Sequence, residues 1–470
     1  MKRIIVLFVT IFITVTTIYG QSKGYNVKVK IKGLNPDDEC FLGNYFGDKQ
    51  YVQDTAKMDV KGYFVFRKAE ELAGGIYFIV LPDRKYFEII LDKEQIFILE
   101  TDTSDLINNM KVKNSEDNQL FYDYLKFIDA KHKQITPLSD KLKENPDDSI
   151  GNNLVKDKIK AINKEVEDYK LNFINKYPNK FLTKVFLASK EVEIPEAPLL
   201  ENGHIDSLFT YKYYKEHYFD NIDFTDDRLL RTPIFHNKLN NYITNLVLQI
   251  PDSIIKESDY LIAKTKDNKE VFKYLVWFIT NYSERSNVMG MDAAFVHMVE
   301  TYYMTNKAFW IKPDQLQKIT ERAMKLKPLL LGKVSPNLTV MDSLGRKNTL
   351  HNVKAKYTVL YIWSTDCGHC KKMTPVLRDF YLEKKSQGLE VFALCTETDM
   401  DEWKAKVLEY NAPWINVWDP INMSNFRDIY DVYSTPIIYL LDKDKKIIAK
   451  RIDVEQLKEF YEKLTKEEKK

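Results

Sequence analysis

The chain has 470 residues, with 70 Lys and Arg against 68 Asp and Glu and a net charge of +2. That balance gives no field to steer it onto nucleic acid or anionic lipid, so no nucleic-acid partner is expected. Four cysteines are too few for a disulfide scaffold, and a pair set close together therefore reads as chemistry rather than as a staple.

Met1-Lys2-Arg3 is a basic tip, followed by the apolar run Ile4 to Ile18 and by Tyr19-Gly20-Gln21. This is the pattern of a secretory signal peptide over 1–20, cut near Gly20. The apolar core is short for a membrane span, and the first cysteine, Cys40, stands too far on to carry a lipid. Ile18 occupies a position where a small residue is preferred, so an uncleaved signal anchor stays open as the one membrane attachment. Removing 20 of 470 residues leaves 450, enough for two or three domains of roughly 150 residues.

From 21 to 113 short alternating segments predict strands: Val27 to Ile31, Tyr63 to Phe66, Ile76 to Leu81, Tyr86 to Leu91 and Gln95 to Leu99. Gly and Asp clusters such as Asp59-Val60-Lys61-Gly62 and Gly74-Gly75 separate them, which implies a small antiparallel, sandwich-like β domain. Cys40 reads as a buried free thiol.

Over 114–331 the period becomes helical. Leu120, Tyr124, Phe127 and Ile128 mark one apolar face; Leu239, Tyr242, Ile243 and Leu246 another; Phe272, Leu275, Val276 and Ile279 a third. Pro146, Pro178, Pro233, Pro251 and Pro313 punctuate this bundle of paired helices. Tyr211, Tyr213, Tyr214, Tyr218, Tyr302 and Tyr303 read as helix packing, with an aromatic groove for a peptide client as the other reading. His204, His217, His236 and His297 are scattered and read as structural or surface residues.

Lys327-Pro328 and Gly332 to Pro336 mark the next break, and 332–470 alternates strand with helix. Leu338 to Met341, a turn at Asp342 to Gly345, and Asn348 to Leu350 form a hairpin. Strands are then expected at 357–363, 389–395, 415–418, 437–441 and 447–451, with helices from Cys367 to about Lys385, over 402–410, near Phe426 and from Val454. That order implies a mixed α/β sheet.

Tyr357 to Trp363 is a short run rich in Val, Ile and aromatics, as in a strand buried on both faces. Cys367-Gly368-His369-Cys370 follows it, with Asp366 as the expected helix cap. Cys367 then falls at a helix N-terminus, where free N–H groups and the macrodipole favour the thiolate. Cys370 lies one turn on, which suits a Cys367–Cys370 disulfide that opens and closes, Cys367 attacking and Cys370 resolving. His369 is expected to bring a donor or a positive charge near the Cys367 sulfur. A fall in thiol pKa from about 8.5 to about 5 raises the thiolate fraction roughly thirtyfold while nucleophilicity drops by a similar factor. Its effect is on the redox equilibrium more than on the rate of attack.

Trp363, Cys367-Gly368-His369-Cys370, Lys371 and Pro375, together with Ser434-Thr435-Pro436-Ile437 before a later strand, resemble the thioredoxin superfamily. The hairpin ahead of the core and the 66 positions from Cys370 to Pro436 are similar to its TlpA/ResA-like branch. The resemblance implies a cis bond at Thr435–Pro436 that holds a client backbone, supporting roles for Trp363, Gly368, His369 and Lys371, and an acidic residue beneath the site at Glu397 that relays protons to Cys370. The first segment resembles a β domain found ahead of thioredoxin domains in exported Gram-negative proteins, and His217 to Pro233 resembles a helical domain of unknown function.

The expectation is a periplasmic thiol:disulfide oxidoreductase acting on protein dithiols or disulfides, with a membrane electron donor or acceptor and no cofactor or metal. Its direction stays open. Thr365-Asp366-Cys367 lacks the Pro-x-x-x-Thr-x-x-Cys arrangement of peroxiredoxins. Cys395 reads as a packed strand thiol or a third redox partner. Two other functions stay open: an envelope client-binding or scaffold protein in which the dithiol is secondary, and a thiolate metal-handling protein. Against zinc, no His pair stands at ligand spacing and the remaining cysteines are single.

Overall fold

The computed structural model describes residues 24–144 and 149–467; the expected signal peptide lies outside them. Among the described residues no helix is long and apolar enough to cross a membrane. The chain divides into two compact units, with the boundary between Asn240 and Asn241 inside the helical stretch.

The first unit begins with strands β1 (Tyr25–Lys32), β2 (Glu39–Phe46), β3 (Lys49–Lys57), β4 (Phe64–Lys68), β5 (Gly75–Val80), β6 (Tyr86–Leu91), β7 (Ile96–Asp102) and β8 (Lys111–Lys113). They form two sheets, ordered β4-β1-β7-β8 and β3-β2-β5-β6. Pairing is antiparallel apart from β1 with β7, which run parallel. Val27, Val29 and Ile31 of β1 and Phe97 and Leu99 of β7 are buried at the strand period of two. The β2–β3 hairpin leaves little trace in the sequence because β3 is a sheet edge exposed over Lys49 to Val52, without apolar alternation.

Helices α1 (Glu116–Glu144), α2 (Ser149–Lys176), α3 (Phe181–Ser189), α4 (Phe209–His217) and α5 (Pro233–Asn241) follow. The expected α1 face of Leu120, Tyr124, Phe127 and Ile128 is only half-buried; Asn118, Phe121 and Tyr122 lie deepest. The cause is β6, an edge strand of its sheet. The Asn118 side chain accepts the Ile90 N–H at 2.9 Å and donates to its carbonyl at 2.8 Å, and the Tyr122 hydroxyl donates to the Glu88 carbonyl at 2.8 Å. Side chains thus satisfy backbone groups that a free edge would leave open.

The second unit holds α6 (Pro251–Lys264), α7 (Lys269–Arg285), α8 (Asp292–Met298) and α9 (Pro313–Leu326). Pro233, Pro251 and Pro313 each open a helix, where a fixed φ and a missing N–H suit the first turn. Tyr218, Tyr302 and Tyr303 are buried and pack helices, whereas Tyr213 and Tyr214 are half-buried and Tyr211 is exposed.

The rest of this unit contains β9 (Thr339–Met341), β10 (Lys347–Thr349), β11 (Tyr357–Trp363), α10 (Gly368–Lys384), β12 (Leu389–Cys395), α11 (Met400–Glu409), β13 (Ile415–Trp418), α12 (Phe426–Ile429), β14 (Ile437–Leu441), β15 (Ile447–Lys450) and α13 (Val454–Glu467). The sheet order is β10-β9-β13-β12-β11-β14-β15, with β11, β12 and β13 parallel and the other pairs antiparallel. Val359, Tyr361 and Trp363 enter one core with Leu377, Tyr381 and Trp403, while Leu360 and Ile362 enter the other with Leu338, Phe426 and Tyr430. A strand covered on both faces has no polar positions to alternate with. The C-terminal ends of the three parallel strands, Trp363, Cys395 and Trp418, lie together along one edge. In open α/β sheets that edge is where ligands bind.

Candidate active site

β11 delivers the chain to this edge, and Cys367 takes up the cap position with φ −71° and ψ 112°. The cap is not Asp366, which is exposed. Cys367 is the last residue outside the helix, so its own sulfur reaches back and accepts the Cys370 N–H at 3.1 Å, the role an oxygen plays in most caps. The Cys367 thiol also donates to the Thr435 carbonyl at 3.1 Å, and the Thr435–Pro436 bond is cis. These contacts bring together the two sequence segments expected to form the site.

The two sulfurs differ in setting. Burial alone would raise the Cys367 thiol, but hydrogen bonds from Cys370 and Thr435 and from the backbone N–H groups of Cys370 and His369 outweigh it, and the net direction is downward. Cys370 is fully buried, and burial, reinforced by the hydrogen bond with Cys367, pushes its thiol up to about 12. Cys367 is half-exposed, so one sulfur faces outward as the better thiolate while the other waits beneath as a thiol. All four cysteines are free. The buried Cys40 and Cys395 thiols are pushed up to about 12, chiefly by burial.

Two expected supporters stand differently from their sequence reading. The His369 side chain is exposed, and the group that acts on Cys367 is the His369 backbone N–H. A helix start aims its N–H groups at the cap, whereas a side chain in the first turn turns outward. Glu397 is not enclosed beneath the site. It is half-exposed, accepts the Thr365 hydroxyl at 3.1 Å and the Thr398 N–H at 2.8 Å, and is held below the usual carboxylate range mainly by that backbone bond. Glu397, Asp366 and Glu402 bring carboxylate oxygens within 4.8 Å of one another.

Gly368 has open space where a Cβ would stand; Lys371 is exposed and its N–H closes the first turn onto the Cys367 carbonyl at 3.0 Å. Trp363 is buried, stacked on Tyr361 at 6.5 Å with Tyr410 edge-on at 5.9 Å. Beneath Cys370, the Thr374 hydroxyl donates to its carbonyl at 2.7 Å and hydrogen-bonds the Tyr361 hydroxyl at 2.8 Å. No sequence pattern singles out Thr365 or Asp431; Asp431 is fully buried at the foot of the loop to Thr435 and held by Arg322 and Arg451.

A mixed sheet of this order, with a sulfur-capped helix after its central strand and a cis-proline facing it, is the thioredoxin-like fold. The model of the AhpC/TSA family matches residues 331–450, and models of two domains of unknown function match 25–121 (DUF4369) and 153–327 (DUF5106). The thiol-disulfide oxidoreductase ResA of Bacillus cereus is 32% identical over 141 residues, covering 29% of this chain and 79% of the relative. Among solved structures, a domain of a possible thiol-disulfide isomerase from Cytophaga hutchinsonii is 43% identical, covering 30% of this chain and 97% of that one at a TM-score of 0.29. A thioredoxin-like protein from Bacteroides caccae is 19% identical, covering 57% and 98% at a TM-score of 0.45. The chain belongs, through this domain, to the ResA-like thiol-disulfide oxidoreductases of the AhpC/TSA family.

Proposed function

We propose that the protein exchanges disulfides with exported protein substrates in the periplasm, with Cys367 as nucleophile, Cys370 as resolving thiol, and the Thr435–Pro436 loop as the seat for the substrate backbone. The observation that carries this reading is the Cys367 sulfur, half-exposed at a helix cap and within 3.1 Å of both the Cys370 N–H and the Thr435 carbonyl. The basic tip and apolar run at 1–18 support export.

The Cys367 thiolate attacks one sulfur of the substrate disulfide, forming a mixed disulfide and releasing the other sulfur as a thiolate. That thiolate takes the Cys370 proton. The Cys370 sulfur then attacks Cys367, closing the Cys367–Cys370 bond and releasing the second substrate thiolate, which is protonated by water. One substrate disulfide is reduced as one enzyme dithiol is oxidised. The reverse sequence oxidises a substrate dithiol, so the potential of the electron partner sets the direction.

The test is titration of the mature protein against glutathione with thiol trapping, using a Cys40→Ser, Cys395→Ser background. A reversible two-electron couple lost on replacing either Cys367 or Cys370 is expected. A midpoint near about −120 to −180 mV marks an oxidase or isomerase, and one near about −270 mV or lower a reductase fed by a donor. Absence of any reversible disulfide overturns the assignment.

A further inference from the structure

Asp431 takes no part in the exchange steps, yet it is fully buried and holds φ at +53°, a left-handed conformation uncommon outside glycine. Two arginines enclose its carboxylate. Arg451, just past β15, donates to Oδ2 at 2.5 Å and to the Asp431 carbonyl at 3.0 Å; Arg322, from α9, donates to Oδ1. One turn further along α9, Lys325 pairs with Asp428 at 2.7 Å. Arg322 and Lys325 also lie over the exposed ring of Tyr433, at 5.5 Å and 5.7 Å from its centroid. The segment they grip, Asp428 to Tyr433, runs directly into Thr435, whose carbonyl meets the Cys367 thiol.

We propose that α9 braces the 428–436 loop, and that Arg322, acting through Asp431, is a positioning residue that keeps Thr435 against Cys367. A buried carboxylate needs its cations, because an uncompensated charge there is costly. Without Arg322, Asp431 keeps only Arg451, whose side chain is 46% exposed. Between Val432 and Pro436 the chain is neither helix nor strand, so Asp431 and Tyr433 are its nearest fixed points. The helical segment before the thioredoxin-like domain thereby becomes part of the redox site's support.

This inference rests on Cys367 being the nucleophile, and the test separates the two. In the full chain, the rate of mixed-disulfide formation with glutathione disulfide and the pH midpoint of Cys367 alkylation are measured for wild type, Arg322→Gln and Arg322→Lys. Arg322→Gln is expected to slow the reaction by about twofold to thirtyfold, the range for residues that act through others. It also moves the alkylation midpoint upward, because Thr435, whose side-chain hydrogen bond helps to hold the Cys367 thiol below its ordinary value, is released; Arg322→Lys recovers most of both. Arg322 is 28% exposed and lines a groove of about 730 Å³, so its truncation leaves no closed void. Urea midpoints measured in parallel detect loss of fold.

As a second route, Lys325→Asp and Asp428→Lys each weaken the brace, and the double exchange restores the rate. A folded Arg322→Gln protein with wild-type rate and midpoint, or a double exchange no better than its singles, overturns the brace while leaving the function standing. A wild-type protein that forms no reversible Cys367–Cys370 disulfide overturns the function itself.

Discussion

Cys367 at the start of α10 and Cys395 at the end of β12 sit at neighbouring strand ends of one sheet. Cys395 pairs in register with Trp363 and shares a core with Cys370. At the helix start, the Cys367 sulfur replaces a capping oxygen and collects donors from Cys370, Thr435 and the first-turn backbone, which outweigh partial burial. At the strand end, the Cys395 backbone is committed to the ladder, burial pushes its thiol up to about 12, and the charges of Glu397 and Glu402 add to the rise. The Glu397 backbone N–H does reach the Cys395 sulfur, but one donor does not offset full burial, so the balance of donors against burial sets which thiol is the better thiolate.

Removing either sulfur of the helix pair breaks the comparison most severely. Cys367→Ser is expected to take exchange with a protein disulfide to background, since a hydroxyl forms no mixed disulfide. Cys370→Ser leaves the first attack intact but not its resolution, so intact-mass spectrometry after exposure to glutathione disulfide should find one stable adduct, on Cys367. An adduct on Cys395 instead would reverse the roles assigned to the two regions.

Alkylation reads the same contrast in the native protein. A thiol at about 12 is about 10⁻⁵ thiolate at pH 7, against more than about 10⁻² for one below its ordinary value, a difference of about 10³ before access is counted. Iodoacetamide at pH 7 should label Cys367 alone on the fast timescale, its rate rising with pH and levelling off above its own pKa. Cys40, Cys370 and Cys395 should label only after denaturation. A smaller effect is expected from Cys395→Ala, which removes one sulfur from a packed core: a loss of about 0.5–1.5 kcal/mol in urea unfolding with exchange rates unchanged. A matching loss of activity would make Cys395 a third redox partner.

Strands β11, β12, β13 and β14 begin and end at the residues expected from the sequence, because largely buried strands are written as mostly apolar runs, here broken only by Thr358, Glu390 and Asn416. The dithiol and the cis-proline were legible because they are local motifs. The β2–β3 hairpin was not, since β3 is a polar edge. The cap was misplaced by one residue because sulfur is seldom read as an acceptor. His369 was expected to bring a donor or a positive charge to the Cys367 sulfur, and the donor that reaches it is the backbone N–H, with the imidazole exposed. Asp431 left no signal at all, since its meaning depends on Arg322, 109 positions away, and no window of sequence contains both.

The smallest expected effect is at Glu397, and it concerns how Cys370 loses its proton. A base that takes a proton near neutral pH works best with a pKa close to 7. The Glu397 carboxylate instead receives N–H and hydroxyl donors and lies below its ordinary range, so it is ionised at neutral pH and weakly basic. The groups that ease ionisation of Cys370 are the Ser364 backbone and the Thr435 side chain, and neither depends on Glu397. Glu397→Gln keeps an acceptor for Thr365 and should leave the exchange rate at pH 7 within about threefold of wild type, the size of a change in one exposed hydrogen bond. Its clearest signature should be a small acidification of Cys395, from which one neighbouring negative charge has been removed. A tenfold loss in the Cys370 resolving step, measured by quenched-flow trapping of the mixed disulfide, would instead make Glu397 the base and place the proton route through Thr365.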